Sequence, residues 1–485
     1  MTSRERPPMD SPPNVVLICV DQWRGDCLSA DGHRVVHTPH LDALAARGAR
    51  FRRAYSATPT CIPARAALMT GLSQRSHRRV GYENARPWDY QVTVAGEFRR
   101  AGYQTQAIGK MHVYPERTRL GFDDVLLHDG YLHFARRRHR PYEEFDDYLP
   151  WLRMQAGASA VEDYYDNGLN GNSMIARPWD KPEAWHPTTW TVTQATSWLY
   201  RRDPRSPFFL YMSFHRPHPP FDPPAWAYEQ YLDVLPYVPE VGDWVDVLEP
   251  RYEDWRHNPV AARMSPAVLH RARAGYYGHL AHIDLQINRF LEILGEFGLA
   301  ENTVVCFVSD HGEMLGEHHL FQKGLPYEGA ARIPFLLAGP GVPGGAVRDD
   351  VVELRDVMPT LLDAAGVPVP DDIDGRSVLQ LLRQPGAGWR RHLHGEHPNL
   401  GQKLHWITDD RWKYVWWSGD GREQLFDLSA DPLECHDLAG EPSAETHLVR
   451  LRELLVDELS DREEGYVNGG RLVSGRPSRS WLEKA

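Results

Sequence analysis

The stretch "NTVVCFVSDHGE" (Asn302–Glu313) indicates the fold class of the chain most clearly. Its middle is a continuous apolar run rich in β-branched residues, which is typical of a strand buried on both faces, as in a parallel sheet. Asp310 and His311 follow this strand directly. The sequence before it predicts a helix that ends at Gly298 and carries one apolar face. That face consists of Leu280, Ile283, Ile287, Phe290, Leu291 and Leu294.

The same alternation of strand and helix recurs towards the N-terminus. The runs "NVVLICV" (Asn14–Val20) and "SPFFLYMSF" (Ser206–Phe214) are typical of further buried strands. A helix is predicted in "TPHLDALAARG" (Thr38–Gly48), with Pro39 at its first position. The stretch "VTVAGEFRRAGYQTQAIGK" (Val92–Lys110) repeats the scheme as a short helix and a strand. This alternation predicts an α/β fold with a mostly parallel central sheet flanked by helices.

Polar residues stand where these strands end. The carboxyl ends of parallel strands share one edge of a sheet, and ligands bind outside that edge. The sequence therefore predicts a ligand site there. Its candidate residues are Asp21, Lys110, His215, His218, Asp310 and His311.

The domain organisation follows from shifts in composition. Residues 1–13 are predicted to be a disordered arm and residues 14–385 the main α/β domain, with Trp- and Tyr-rich insertions at about 130–260. Residues 386–464 alternate around an "SGDG" hairpin turn and end in a helix, which predicts a smaller C-terminal antiparallel-sheet domain. Residues 465–485 form a polar tail with an apolar end. We expect the tail to dock on a neighbouring subunit, in a homo-oligomer.

Composition excludes several classes of partner. The net charge is −12, and no basic run exceeds Arg136–Arg140, so nucleic acid is not an expected partner. No apolar segment reaches the length of a signal core or a membrane span, so no membrane partner is expected. The five cysteines form no disulfide framework, which fits a reducing cytoplasm. The predicted location is cytoplasmic.

One cysteine stands in an unusual setting, in "TPTCIPARAALMTG" (Thr58–Gly71). Cys61 is either a buried small hydrophobe, a thiolate nucleophile activated by Arg65, or part of a family signature. Only three residues separate Cys61 from Arg65, which is short for a loop that wraps an oxyanion. The stretch resembles the sulfatase signature, Cys-x-Pro-x-Arg followed by Thr-Gly.

Further segments carry the same resemblance over roughly residues 14–440. They are "VDQWRGD", "TPHLDALAARGARF", "AGYQTQAIGKMH", "SFHRPHPPF", "VSDHGEMLGEH" and "LFDLSADPLECHDLA". The pattern is most similar to the subgroup of choline sulfatases and phosphonate monoester hydrolases. The resemblance implies an alkaline-phosphatase-like core, a small-molecule sulfate ester as substrate, and release of inorganic sulfate and an alcohol.

The resemblance also implies covalent catalysis by an aldehyde rather than a thiol. In the family the cysteine is oxidised to formylglycine, whose hydrate attacks sulfur with one hydroxyl and expels sulfate by deprotonation of the other. A formylglycine-generating enzyme or an equivalent is therefore an expected maturation partner. One divalent cation is implied, with calcium expected and manganese or magnesium as alternatives.

The roles of individual residues are carried over from the matching motifs. The implied metal ligands are Asp21, Gln22, Cys61, Asp310 and His311. Many sulfatases have Asp-Asp and Asp-Asn at these strand ends, whereas this chain has Asp21-Gln22 and Asp310-His311. The departure is the feature shared with the phosphonate monoester hydrolase subgroup.

The remaining site residues are implied in the same way. Arg65 orients the formylglycine hydrate, and Lys110 and Lys323 clamp the sulfate and the leaving oxygen. His112 takes the proton of the second hydroxyl, and His218 contacts the sulfate and helps to protonate the leaving group. Asn84 and His215 are the candidate substrate-binding residues.

Three functions stay open at this point. Sulfate-ester hydrolysis leads, and hydrolysis of phosphonate monoesters or phosphodiesters by the same formylglycine is the alternative. A non-catalytic ligand-binding relative would show gaps in the nucleophile or metal set, and the sequence has none. The Trp- and Tyr-rich stretch between Tyr164 and Trp190 is expected to touch the leaving group and to select the substrate, with Trp179 and Trp185 as its candidates.

Overall fold

A computed structural model of the chain describes residues 11–130, 140–165, 170–234, 238–248, 259–384 and 388–483. Most of the predicted N-terminal arm and most of the basic cluster Arg136–Arg140 lie outside the described residues. The strands are β1 (Asn14–Asp21), β2 (Ala49–Phe51), β3 (Ala54–Tyr55), β4 (Gln104–Gly109), β5 (Asp124–Leu127), β6 (Phe208–Pro217), β7 (Thr303–Ser309), β8 (Arg332–Ile333), β9 (Phe335–Ala338), β10 (Ala346–Arg348), β11 (Val352–Glu353), β12 (Leu393–Asn399), β13 (Gln402–Thr408), β14 (Trp412–Trp417), β15 (Glu423–Asp427), β16 (Val467–Asn468) and β17 (Arg471–Leu472). The helices are α1 (Pro39–Arg47), α2 (Cys61–Thr70), α3 (Val94–Arg100), α4 (Tyr148–Ala156), α5 (Ala158–Tyr165), α6 (Pro187–Arg201), α7 (Ala225–Leu232), α8 (Pro266–Glu296), α9 (Glu328–Ala331), α10 (Val357–Ala364), α11 (Leu379–Arg383) and α12 (Glu445–Leu459).

The central sheet has eight strands in the order β10-β2-β9-β7-β1-β6-β4-β5. β1 lies in its middle and pairs in parallel with β6 and β7, and β4 pairs in parallel with β5 and β6. β9 runs antiparallel to both of its neighbours, β2 and β7. The predicted mostly parallel α/β sheet is therefore confirmed. The carboxyl ends of β1, β4, β6 and β7 lie side by side.

The sheet is buried on both faces, as its uninterrupted apolar strands predict. Val15, Leu17 and Cys19 of β1 face one core, which is completed by α2, α3 and α10. The alternate residues Val16 and Ile18 face a second core, which is completed by α1, α6 and α8. Because both cores hold the same strand, the edge that carries Asp21 is fixed from both sides.

The C-terminal domain is a four-stranded antiparallel sheet in the order β12-β13-β14-β15. The predicted turn, Ser418–Gly421, joins β14 to β15, and the predicted helix is α12. Leu448, Leu451, Leu455 and Leu459 of α12 cover one face of this sheet. The other face packs against the catalytic domain through Trp406, Trp417 and Tyr327.

The Trp- and Tyr-rich region contains more regular structure than its weak periodicity indicated. It includes α4, α5, α6 and α7 in addition to the expected strand β6. Its aromatic residues form a satellite core of their own, with Tyr148, Tyr164, Trp179 and Trp190 buried in it. Aromatic composition identified this segment as special, but it gave no information on which way the rings point.

In this single chain the tail, which is expected to dock on a neighbouring subunit, packs on residues of its own chain. The backbone N–H of Val80 donates to Ser480 and that of Leu482 donates to Arg78, at 3.0 and 2.9 Å. The Leu482 side chain is buried, and the Trp481 ring lies 4.5 Å from the Arg78 guanidinium. The apolar end is thus covered within one chain. The homo-oligomer stays a prediction, without the tail as its support.

A search of the described helices for a segment long and apolar enough to cross a membrane finds none.

Candidate active site

The strand ends meet around Cys61, which is the first residue of α2. One ligand atom from each of Asp21, Cys61, Asp310 and His311 lies within 4.8 Å of all the others, and all four residues are buried. Asp21 ends β1, and Asp310 and His311 follow β7, so the parallel sheet brings together residues that are distant in sequence. The structure therefore joins the cysteine of the signature to most of the implied ligand set.

The Cys61 thiol lies in a setting that disfavours a thiolate. Its Sγ is 3.5 Å from Asp21 Oδ1 and 3.3 Å from His311 Nε2. Burial and then the Asp21 carboxylate raise the pKa of Cys61 to about 11. A thiol with such a pKa is a poor nucleophile at neutral pH. This observation counts against the interpretation of Cys61 as a thiolate nucleophile.

The donor atoms around Cys61 are oriented as metal ligands. The Gly312 carbonyl can only accept, so His311 donates its Nδ1–H to it at 2.9 Å and presents the Nε2 lone pair to Asp21 and Cys61. Asp310 Oδ1 accepts from the backbone N–H of Gln22 and of His311, both at 3.0 Å. Two carboxylates and an imidazole lone pair converging in a buried cluster fit a divalent cation.

Gln22 is placed beside the cluster by a left-handed backbone conformation, with φ of 74°. Its side-chain oxygen accepts from Lys323 Nζ at 2.6 Å, and its amide nitrogen donates to Glu313. The implied ligand Gln22 thus turns its oxygen towards Lys323, which lines the cavity.

Arg65 holds the strand ends together from beneath. It lies one turn after Cys61 on α2 and is fully buried. Its Nε donates to Asp310 Oδ2 at 2.9 Å, and its NH1 donates to the Lys110 carbonyl and to Tyr211 and Ser213 of β6. Its NH2 is buried and has no hydrogen-bond partner among the residues that the structure describes. One donor therefore remains for a group at the cluster.

Lys110 is a fixed cation at the end of β4. Its Nζ pairs with Asp21 and lies 3.5 Å from Cys61 Sγ. Burial is the largest single effect and disfavours the ammonium, but Asp21 together with Cys61 and Asp310 outweighs it, so the pKa of Lys110 is raised above its usual value. The positive charge is therefore kept in a buried position, where it interacts strongly with an anion.

His218 and Lys323 form a pair at the other side of the cavity. His218 donates Nδ1–H to the Pro219 carbonyl at 3.0 Å, so its Nε2 lone pair faces Lys323 Nζ at 2.6 Å. Burial, and then the charge on Lys323, hold the pKa of His218 well below its usual value. His218 is consequently neutral and accepts from the Lys323 ammonium, whereas the family resemblance implies that His218 helps to protonate the leaving group.

His112 and His215 both line the same cavity. His112 has a left-handed backbone, with φ of 57°, and its N–H and that of Met111 both donate to Asp129 Oδ1 at 2.9 Å. His215 packs edge-on against His128, with ring centroids 4.7 Å apart. Burial lowers the pKa of His215 well below its usual value, so this histidine is neutral.

The cavity above the cluster has a volume of about 570 Å³. Several of its lining residues were not predicted from the sequence. They are Tyr82, Asp129, Asn170, Asn172, Gln322 and Asn399. Asp129 follows β5 and could have been found by the strand-end rule. Asn399 ends β12, whereas Asn170 and Asn172 lie in a segment without periodicity.

The structure places two sets of predicted substrate-side residues away from the cavity. Asn84 does not line the cavity; it is exposed, and its Nδ2 donates to the Tyr82 hydroxyl at 3.1 Å. Trp179 and Trp185 belong to the satellite core and do not line the cavity either. Tyr82 and Asn172, rather than Asn84 and the tryptophans, present side chains at the cavity.

Comparisons with known proteins agree with this geometry. A family model described as Sulfatase matches residues 13–367, and one described as N-sulphoglucosamine sulphohydrolase, C-terminal, matches residues 316–461. An arylsulfatase of Clostridium perfringens is 47% identical over 473 residues, which cover 96% of this chain and 98% of the relative. A choline-sulfatase of Rhizobium meliloti is 31% identical over 449 residues, covering 89% of this chain and 83% of the relative.

The fold is also similar to that of a solved enzyme. The structure of a phosphonate monoester hydrolase of Agrobacterium radiobacter matches with a TM-score of 0.77 and 27% identity, covering 96% of this chain and 100% of that chain. Motifs, cluster geometry and relatives agree with the resemblance found in the sequence, and the chain belongs to the sulfatase family.

Proposed function

We propose that this chain hydrolyses sulfate esters to inorganic sulfate and an alcohol, and that its reacting group is formylglycine made from Cys61. The observation that carries the proposal is the buried cluster of Cys61 with Asp21, Asp310 and His311 at the start of α2. Because the thiol is held protonated there, the cluster suits an oxidised derivative of the cysteine better than the cysteine itself. A formylglycine-generating enzyme or an equivalent is the corresponding maturation partner.

The proposed cation is calcium, held by Asp21, Gln22, Asp310 and His311 together with residue 61. Oxygen ligands in excess over a single imidazole favour a hard cation over a soft one. When bound, the metal and the hydrated aldehyde would supply a Lewis acid and a nucleophilic hydroxyl. All other contributions in the account come from side chains of the chain itself.

Fixed positive charge binds the sulfate group. Lys110 and Lys323 line the cavity, and both ammonium groups are held by side chains that leave them little freedom. Charges held in place in a water-poor site stabilise developing negative charge without reorganisation. Arg65 adds a buried donor beneath the cluster.

Proton transfer to the leaving alcohol is assigned to Lys323. The proton of the Lys323–His218 pair resides on the lysine, and Lys323 Nζ reaches the cavity. His218 orients that ammonium through its Nε2 lone pair. His112 faces the same cavity and is the base proposed for the release of sulfate.

The experiment that tests this function uses one alcohol and three acid groups. The sulfate ester, the phosphodiester and the phosphonate monoester of 4-nitrophenol share a leaving group, so their rates differ only through the acid part. With one matured preparation, kcat/KM highest for the sulfate supports the proposal. A higher value for either phosphorus ester would contradict it in favour of the alternative, to which the Asp21-Gln22 and Asp310-His311 pairs and the phosphonate monoester hydrolase likeness point.

A further inference from the structure

Glu313 is a fully buried carboxylate that follows His311 by two residues. Its Oε1 accepts from the backbone N–H of Leu315 and of Gln322, at 3.0 and 2.5 Å. Its Oε2 accepts from the side-chain amide of Gln22. Both carboxylate oxygens of Glu313 therefore act as hydrogen-bond acceptors, for three N–H donors in all.

The two neighbours of Gln22 leave its amide only one orientation. Glu313 Oε2 accepts from the amide nitrogen, and the Lys323 ammonium, which can only donate, takes the amide oxygen. An aspartate at this position, as in many sulfatases, would offer two equivalent oxygens and need no such control. A glutamine has one oxygen and one nitrogen, and an inverted amide would present N–H groups to the cation.

Glu313 also holds the segment that carries Lys323. The backbone N–H of Gln322, which Glu313 Oε1 accepts, belongs to the residue just before Lys323. One side chain therefore fixes both a proposed cation ligand and the loop of the sulfate clamp.

We propose that Glu313 is a positioning residue, which fixes the Gln22 amide with its oxygen towards the cation and so sets the affinity of the site for the metal. The inference rests on the proposed function, since it takes Gln22 as a ligand. Partners of metal ligands typically change metal affinity or activity by about 10- to 100-fold when they are mutated.

The substitution Glu313→Gln tests the inference, because it replaces only the Oε2 acceptor that faces Gln22 by an N–H₂ donor. The two backbone N–H groups keep the amide oxygen of the new side chain at the Oε1 position, so its N–H₂ must face the N–H₂ of Gln22. Gln22 is then forced to turn its oxygen away from the cavity. We expect the dissociation constant for Ca²⁺, measured by calorimetric titration of the metal-stripped protein, to rise by about 10- to 100-fold.

The exchange Gln22→Glu with Glu313→Gln provides the rescue. It restores a donor opposite an acceptor, keeps the number of buried charges and leaves an oxygen facing the cation. We expect the exchange to bind Ca²⁺ within about tenfold of the wild-type protein. Because it restores the contact, it can be measured even where the single variant unfolds.

The matched control is Glu317→Gln, which removes a buried carboxylate in the same segment that pairs with Arg24 and does not touch Gln22. We expect it to lower the melting temperature without weakening Ca²⁺ binding. Wild-type affinity in Glu313→Gln, or an exchange variant as weak as the single variant, would overturn the inference alone. A wild-type protein that binds no Ca²⁺ would overturn the proposed cation site and the inference with it.

Discussion

Asn172 offers a hydrogen-bond acceptor at the substrate side of the cavity. It lines the cavity beside the clamp, and its Oδ1 is buried without a hydrogen-bond partner among the described residues. A buried acceptor without a donor costs free energy, and a hydroxyl of the alcohol part would satisfy it. Lys323, in contrast, is placed to meet the part that every sulfate ester shares.

A change at Asn172 should therefore alter the preference between two esters, whereas a change at Lys323 should lower the rate for both. We expect Asn172→Ala to lower kcat/KM by on the order of tenfold for an ester whose alcohol carries neighbouring hydroxyls, and to leave a plain aryl sulfate nearly unchanged. Lys323→Ala should depress both rates together. Steady-state kinetics on a sugar sulfate and on 4-nitrophenyl sulfate make the comparison. An unchanged ratio of the two rates in Asn172→Ala would assign substrate selection to other residues.

Among the structural elements, the C-terminal tail packs against its own catalytic domain and holds one segment of it in place. The Trp481 ring lies within 5.4 Å of the guanidinium groups of Arg78, Arg79 and Arg86, and Leu482 is buried next to it. Cation–π contacts of this kind contribute about 0.5–1 kcal/mol each at exposed sites. The tail thus stabilises the segment that leads to Tyr82 at the cavity.

Because the tail packs within one chain, we expect a substitution in it to lower the free energy of unfolding without changing the oligomeric state. Leu482→Ala should lower the free energy of unfolding by about 2–5 kcal/mol, the usual cost of truncating a buried leucine. Arg476→Ala, an exposed change in the same tail, serves as the control. Denaturant unfolding and light scattering are measured on both variants. A smaller mass in solution for Leu482→Ala with unchanged stability would contradict docking within one chain.

The arrangement of strands and helices explains which features could be predicted from the sequence. Asp21, Lys110 and Asp310 could be placed at one edge because strand ends converge in any parallel sheet, whatever the loops do. The position of Trp179 could not be predicted, because burial of an aromatic ring depends on packing of α4, α5 and α6 rather than on composition. The contact of the tail with its own chain could not be predicted either, because the arginines that cover Trp481 are some 400 residues away in the chain.

Over the whole molecule, buried neutral histidines are a recurring feature. Burial is the leading cause that lowers the pKa of His77 and His397 to about 3 and that of His279 to about 4. Ring nitrogens of His77 and His279 accept backbone N–H groups, at 3.1 and 3.0 Å, which protonation would disrupt. The folded state therefore excludes protons that the unfolded chain binds.

Stability should accordingly fall on the acid side. These histidines have folded-state pKa values below the unfolded value of about 6.5, so their contribution is present above that pH and is lost as the pH falls towards 4 and 3. Within that window, protonation of each histidine lowers the free energy of unfolding by about 1.4 kcal/mol for each pH unit of acidification. Denaturant unfolding between about pH 7.5 and pH 5.5 measures the slope. We expect His77→Gln to reduce the slope and His436→Gln, at an exposed residue, to leave it unchanged. A pH-independent free energy of unfolding would contradict this account.

The mass of the peptide that contains residue 61 shows whether Cys61 works as formylglycine. Preparations with different degrees of maturation are assayed on a sulfate ester, and each is digested and analysed by mass spectrometry. If formylglycine is the reacting group, we expect specific activity to rise in proportion to the fraction of residue 61 that is found as the aldehyde or its hydrate. Full activity in a preparation whose residue 61 is entirely the unmodified thiol would contradict it.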